Sequence, residues 1–184
     1  MAGTYTLQKA YDAAWHYAAK AHKDQCLPGT ELPYLTHIGW VAGEILITLQ
    51  YEAVETPTLA IQCAILHDTL EDTDTDPDDL RQRFGPVVAD GVAALTKNAS
   101  LPRDQRMQDS LERILTQPAE VAMVKLADRI ANLRKPPGFW DTGKIEAYIE
   151  ESILIIATLG PTSAYLRKRI QARLRAYRAK LVSP

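Results

Sequence analysis

An all-α helical bundle, one domain over residues 1–184, is the fold this sequence predicts, on three observations. Apolar residues recur at three- and four-residue spacing almost throughout, the period of helices with one face on a core. No run alternates apolar and polar residues as a half-buried strand does. Proline-containing breaks separate the periodic stretches. With 46% hydrophobic and 24% charged residues, a chain of 184 buries a core of its own without staples.

In order, the periodicity predicts helices at about 5–23, 37–50, 57–69, 76–83, 86–97, 104–116, 119–133, 142–158 and 162–181. Cys26-Leu27-Pro28-Gly29 and Pro33 part the first two. Thr56-Pro57 sets proline in the first turn of the third helix, with Thr56 as its N-cap, and Asp76-Pro77 repeats the pattern. Gly85-Pro86 opens the next helix, Lys135-Pro136-Pro137-Gly138 stops the one carrying Asp128, and Gly160-Pro161 parts the last two. The final helix has an apolar stripe of Leu166, Ile170, Leu174, Tyr177 and Leu181. Around it stand Arg167, Lys168, Arg169, Arg173, Arg175, Arg178 and Lys180 with no acid, leaving 14 of the 21 basic residues against 23 acidic ones elsewhere.

Several classes are excluded. The N-terminus has polar residues at helical spacing and no apolar core of a signal peptide, and no stretch reaches the roughly 18–20 apolar residues of a membrane span. Cys26 and Cys63 form no CxxC pair and read as reduced thiols, Cys63 in a core helix, so the expected location is cytoplasmic.

The chemistry is concentrated at Ala64-Ile65-Leu66-His67-Asp68-Thr69-Leu70-Glu71-Asp72. On a continuous helix His67 stacks over Glu71 and Asp68 over Asp72. Four such groups ending an apolar helix call for a compensating charge, and imidazole with carboxylate suits Mn²⁺, Fe²⁺ or Zn²⁺. The alternative is a solvated helix C-terminus, where the helix dipole disfavours acids. His37, alone on an apolar helix, reads first as structural. Asp128 lies amid Val121, Val124, Leu126, Ile130 and Leu133, where an ionised carboxylate needs a cation; Arg129 is one candidate, a metal another, and Asn132 stands one turn on.

Five segments in order, AAKAHKDQ, PYLTHI, ILHDTLEDTDTD, RFGPVVADGVAALTK and VKLADRIANLR, resemble the hydrolase domain of RelA/SpoT-type alarmone enzymes over about residues 10–150. His37, His67-Asp68 and Asp128 reproduce the H…HD…D signature of HD-domain phosphohydrolases. With no room for synthetase or regulatory domains, the chain is similar to the stand-alone, Mesh-type hydrolases. The resemblance implies an HD-type helical bundle that removes the 3′-pyrophosphate from (p)ppGpp or (p)ppApp with one Mn²⁺ held by His37, His67, Asp68 and Asp128. It implies that Glu71 and Asp72 orient and deprotonate the attacking water, that Asn132 contacts the nucleotide, and that Tyr148 and Lys144 lie near ribose and phosphates. A small-molecule nucleotide is the expected partner; oligomeric state stays open. An HD-type phosphatase of another nucleotide such as NADPH is the neighbouring alternative.

One departure bears on the base. Relatives that cleave guanosine substrates follow HxxQ with an aromatic residue and Arg-Lys; here Gln25 is followed by Cys26-Leu27-Pro28-Gly29-Thr30-Glu31. The missing guanidinium leaves Lys23 as the nearest cation and guanine preference open. Asp72-Thr73-Asp74-Thr75-Asp76-Pro77 is not a calcium loop, lacking Gly at its sixth position and Glu at its twelfth, and its acids read as solvent-facing groups that cap the next helix. His16 and the tryptophans Trp15, Trp40 and Trp140 read as packing, and His22 is open between packing and a place near substrate. The alternative of another class is a non-catalytic nucleotide- or nucleic-acid-binding module, suggested by the basic final helix and disfavoured because the ligand set and both carboxylates are intact and no recognition motif interleaves its charges.

Overall fold

The computed structural model describes residues 2–182, with side chains over 6–179. Met1, Ser183 and Pro184 of the predicted domain, and the side chains of Lys180 and Leu181, lie outside the described residues. The helices are α1 (Ala2–Ala21), α2 (Leu35–Tyr51), α3 (Pro57–Leu66), α4 (Thr69–Asp72), α5 (Pro77–Phe84), α6 (Pro86–Leu95), α7 (Arg106–Leu115), α8 (Ala119–Asn132), α9 (Thr142–Leu159) and α10 (Ala164–Val182). Among the described residues there is no strand, only one isolated bridge between Cys26 and Pro33.

α8 is the axle. Every residue from Glu120 to Ala131 is buried, and a helix enclosed all round must be packed on all sides. α2, α3, α6, α7, α9 and α10 all pack against it, while α1 covers α3 and α5 lies on α6. Their buried apolar side chains join in one core. The stripe on α10 is part of it, with Leu166, Ile170, Leu174 and Tyr177 all buried. Glu52 fixes where α10 starts: its carboxylate accepts from Tyr165 N at 2.7 Å and Ser163 Oγ at 2.6 Å, an acid at a helix N-terminus.

Three features of the sequence reading are corrected here, each for a local reason. The third helix stops at Leu66 instead of running to 69. His67 Nδ1 lies 2.9 Å from the Ala64 carbonyl and Thr69 Oγ1 donates to the Leu66 carbonyl at 2.7 Å, occupying acceptors that the next backbone N–H groups would have used. Asp68 turns to φ −99°, ψ 0°, and α4 starts behind it. The sixth helix stops at Leu95, because Thr96 is extended and its hydroxyl returns to Val92 O at 2.9 Å. Thr56 does not cap α3 by its side chain; its backbone N–H donates to the buried Glu120 carboxylate at 2.6 Å instead. Asp76 does cap α5, accepting from Asp78 N at 2.9 Å.

Cys63 is fully enclosed, and burial followed by the charge of Glu120 pushes its thiol up to about 12, so it stays an unreactive core residue. The helix contact beside it depends on Gly91. A Cβ there would stand 2.9 Å from Val121 Cγ2 and 3.1 Å from Cys63 Sγ. Gly91→Ala gains about 1 kcal/mol of helix propensity but overpacks a buried contact, at about 1–3 kcal/mol. The expected result is a lower urea midpoint; a higher one would show that α6 backs away freely.

Candidate metal centre

Three elements meet where α8 is most enclosed. α2 delivers His37 from its first turn, the kink between α3 and α4 delivers His67 and Asp68, and the middle of α8 delivers Asp128. His37 Nε2 lies 3.2 Å from His67 Nε2, 3.4 Å from Asp68 Oδ2 and 3.4 Å from Asp128 Oδ1. His67 Nε2 lies 2.8 Å from Asp68 Oδ2 and 3.9 Å from Asp128 Oδ1. The structure thus brings together all four residues that the sequence singled out as ligands. His37, His67 and Asp128 each offer a ligand atom within 4.8 Å of the others.

The donor set fits a divalent cation. The bond from His67 Nδ1 to the Ala64 carbonyl places the ring proton on Nδ1 and leaves the Nε2 lone pair facing His37 and two carboxylates. Two carboxylates and two imidazoles gathered inside a protein need positive charge among them. Burial alone pulls the His37 imidazolium down, but hydrogen bonds and charge from Asp128 and Asp68 outweigh it and carry the pKa up to about 9. Against burial, His67 and His37 hold Asp68 well below the carboxylate range, and Lys125 with His37 does the same for Asp128.

Second contacts aim these groups. Tyr34 OH donates to Asp68 Oδ2 at 2.6 Å, His22 stacks on Tyr34 with centroids 5.0 Å apart, and His22 Nδ1 meets Gln25 Oε1 at 2.6 Å. His22, open in the sequence, is buried behind Tyr34, its Nε2 without a hydrogen-bond partner. Asn132 Nδ2 donates to Asp128 Oδ1 at 2.6 Å and Lys125 Nζ lies 3.2 Å from Asp128 Oδ2. Arg129 is not the partner of Asp128: it pairs with Glu151 and donates to Ser152 Oγ at 3.3 Å.

Glu71 and Asp72 stand on α4 behind the kink, where Asp72 N still donates to the Asp68 carbonyl at 2.9 Å, one turn back. Glu71 accepts from Lys97 N and Lys97 Nζ, both at 3.0 Å. Asp72 is raised by burial and then by the charge of Asp68, with Tyr34 and Gln25 holding it partly down. Both line an open cleft of about 750 Å³ with Lys23, Asp24, Gln25 and Asp74. Lys144 and Tyr148 stand on α9: Lys144 Nζ is 4.6 Å from the Trp140 ring centre, and Tyr148 lies under the Arg129 guanidinium at 4.0 Å. Burial raises Tyr148, the Arg129 charge opposes this, and Asp128 raises it further.

An HD domain matches residues 14–159. The chain belongs to the HD-domain family. As an HD-domain hydrolase with a His/Asp cluster, it has a site for a divalent metal. It is 33% identical to the guanosine-3′,5′-bis(diphosphate) 3′-pyrophosphohydrolase MESH1 of Danio rerio, over 85% of this chain and 87% of that protein. The Homo sapiens MESH1 is 31% identical, over 84% and 87%. A solved structure described as a metazoan ortholog of SpoT that hydrolyzes ppGpp superposes with a TM-score of 0.78 at 27% identity, over 91% of this chain and 94% of that one. The HD fold is common to both.

Tyr34, Lys97 and Lys125 were not singled out in the sequence. Each lies inside a quoted segment, but an aromatic before a helix and lysines at the end of or within an apolar-periodic stretch carry no signal of their own. Tyr34→Phe removes a charge-assisted donor from a buried carboxylate, expected to cost about 1.5–3 kcal/mol. Urea unfolding of the metal-free protein checks this, and an unchanged midpoint would show that Asp68 finds another donor.

Proposed function

We propose that the chain is a Mn²⁺-dependent 3′-pyrophosphohydrolase of alarmone nucleotides, (p)ppGpp or (p)ppApp, with the metal held by His37, His67, Asp68 and Asp128. The observation that carries this is the convergence of those four side chains from three segments, all within 3.9 Å of a histidine Nε2. The relatives so named, similar over most of their length, support the substrate class. Mn²⁺ rather than Mg²⁺ suits a site with two imidazoles. A divalent cation there lowers the pKa of water and polarises a phosphoryl oxygen.

The chain's own groups divide the remaining work. A water oxygen bonds to the phosphorus next to the ribose 3′ oxygen; that P–O bond breaks, the 3′ oxygen becomes a hydroxyl, and pyrophosphate leaves. Asp72, with its raised pKa, accepts the water proton. Glu71, held by two donors of Lys97, orients that water beside Asp72. Asn132 orients Asp128 and meets the nucleotide, while Lys23, Lys144 and Tyr148 contact phosphates and ribose.

The test is a panel of ppGpp, pppGpp, ppApp, pppApp and NADPH, with chelated protein and with Mn²⁺ or Mg²⁺ restored, resolved by ion exchange. Pyrophosphate release should vanish on chelation and return best with Mn²⁺; release of a single phosphate from NADPH alone would move the chain to the neighbouring substrate class.

Asp72→Asn and Glu71→Gln should lower kcat by about 10²–10⁴-fold with metal content unchanged. The rate should fall as pH drops through the raised Asp72 pKa, above the usual value of about 3.9, and Asp72→Asn should lose that limb. Near-wild-type turnover in both variants would place the base elsewhere.

Base preference should be relaxed. In the loop after Gln25, Leu27 packs on the core, while Gly29, at φ 74°, sits against Phe139, which is 64% exposed. An open aromatic face stacks either purine, so ppApp should be cleaved at least as well as ppGpp. A tenfold preference for ppGpp in kcat/KM, about 1.4 kcal/mol, would contradict this.

A further inference from the structure

Among the described lysines Lys125 alone is buried, 5% exposed in the middle of α8. A lysine so enclosed persists only when paired. Its partner is Asp128, three residues on and so on the same helix face, with Nζ 3.2 Å from Oδ2. The other oxygen of that carboxylate has different company. Oδ1 lies 3.4 Å from His37 Nε2 and 3.9 Å from His67 Nε2, and Asn132 Nδ2 donates to it at 2.6 Å. One oxygen faces the imidazoles; the other faces an ammonium.

The second carboxylate of the cluster is held differently. Asp68 Oδ2 approaches both imidazoles and accepts from the neutral hydroxyl of Tyr34. Arg129 pairs with Glu151, and Lys97, whose charge also feels Asp128, is held by Glu71 at 3.0 Å. Against burial, Lys125 is the largest of the influences that keep Asp128 ionised. Ligating imidazoles are neutral, so a dication and two carboxylates cancel, and the ammonium of Lys125 leaves one positive charge in excess. Inside a protein a unit charge a few ångströms away weighs heavily on a dication.

We propose that Lys125 is a positioning residue that sets the charge of the metal centre. It occupies Oδ2, leaving Oδ1 of Asp128 as the ligand atom, and it gives the loaded centre a net positive charge. That charge weakens the hold on the metal and strengthens the pull on water and on a phosphoryl oxygen. All of this rests on His37, His67, Asp68 and Asp128 binding the metal as proposed above.

The test titrates the full chain, stripped of metal, with Mn²⁺, the free ion being followed by electron paramagnetic resonance. Lys125→Met keeps the length of the side chain and removes its charge. It should bind Mn²⁺ at least about tenfold more tightly, and at saturating Mn²⁺ it should turn over ppGpp at least about tenfold more slowly. A lysine that merely braced α8 would, on removal, lower affinity and turnover together, so the opposite signs separate the two roles. Lys125→Gln, neutral but polar, repeats the measurement should the methionine variant fail to fold. Unchanged or weaker Mn²⁺ binding in a neutral variant whose circular dichroism matches the parent would overturn the proposal, as would tighter binding with undiminished turnover. Failure of the parent to bind Mn²⁺, or undiminished binding in His67→Ala, would instead remove the metal centre itself. A parent that binds Mn²⁺ but leaves ppGpp intact would overturn the substrate reading, and the change in affinity would still decide the role of Lys125.

Discussion

An ionised carboxylate in the middle of the most enclosed helix is the constraint around which the rest is arranged. Asp128 is 7% exposed and its pKa is held far down, so the protein keeps a negative charge where water scarcely reaches. Such a charge persists only where cations and donors surround it. Lys125 and Asn132 supply two from its own helix, at one-turn spacing. The others must come from outside, and that requirement sets the meeting point of α2 and the α3–α4 kink on α8. The apolar core makes the meeting rigid: Val124, Leu126, Ala127 and Ile130 around Asp128 are all fully buried.

The kink serves the same constraint. A continuous helix through His67 and Asp68 would aim successive side chains about 100° apart and send them to different neighbours. By bonding the Ala64 and Leu66 carbonyls through side chains, His67 and Thr69 end the ladder and let Asp68 Oδ2 approach both imidazoles. Behind the same break Glu71 and Asp72 line the open cleft, Asp72 one helical turn from Asp68. One local deviation thus separates a buried charge-compensated centre from a pair of carboxylates with water access, as a proton acceptor needs.

Much of this was legible in the sequence, and the remainder was not for definable reasons. Apolar periodicity located the long helices because each has one face or all faces on a single core. Asp128 announced itself as a charge among apolar neighbours, and the spaced histidines supplied its companions. Its protein partner was not legible: Arg129 is adjacent and Lys125 three residues back, and only the helix's rotation shows that Arg129 faces Glu151 on α9. The kink was hidden because His67, Thr69 and their neighbours fit a helix by period; its cause lies in side-chain bonds to the helix's own carbonyls. Tyr34 was overlooked because its ring reads as packing, which it also provides, while its hydroxyl does the electrostatic work on Asp68. The helix from residue 162 drew attention for its charge, but what ties it to the bundle is the buried stripe of Leu166, Ile170, Leu174 and Tyr177 and the pairing of Arg169 with Glu44.

The central claim is that the four converging side chains are one metal centre, with Glu71 and Asp72 outside it. Anomalous diffraction at the manganese absorption edge, from crystals grown with Mn²⁺, tests it most directly. The account predicts one peak within bonding reach of His37 Nε2, His67 Nε2, Asp68 and Asp128. A sole peak between Glu71 and Asp72, or none with Lys125 still against Asp128 at saturating Mn²⁺, would contradict it.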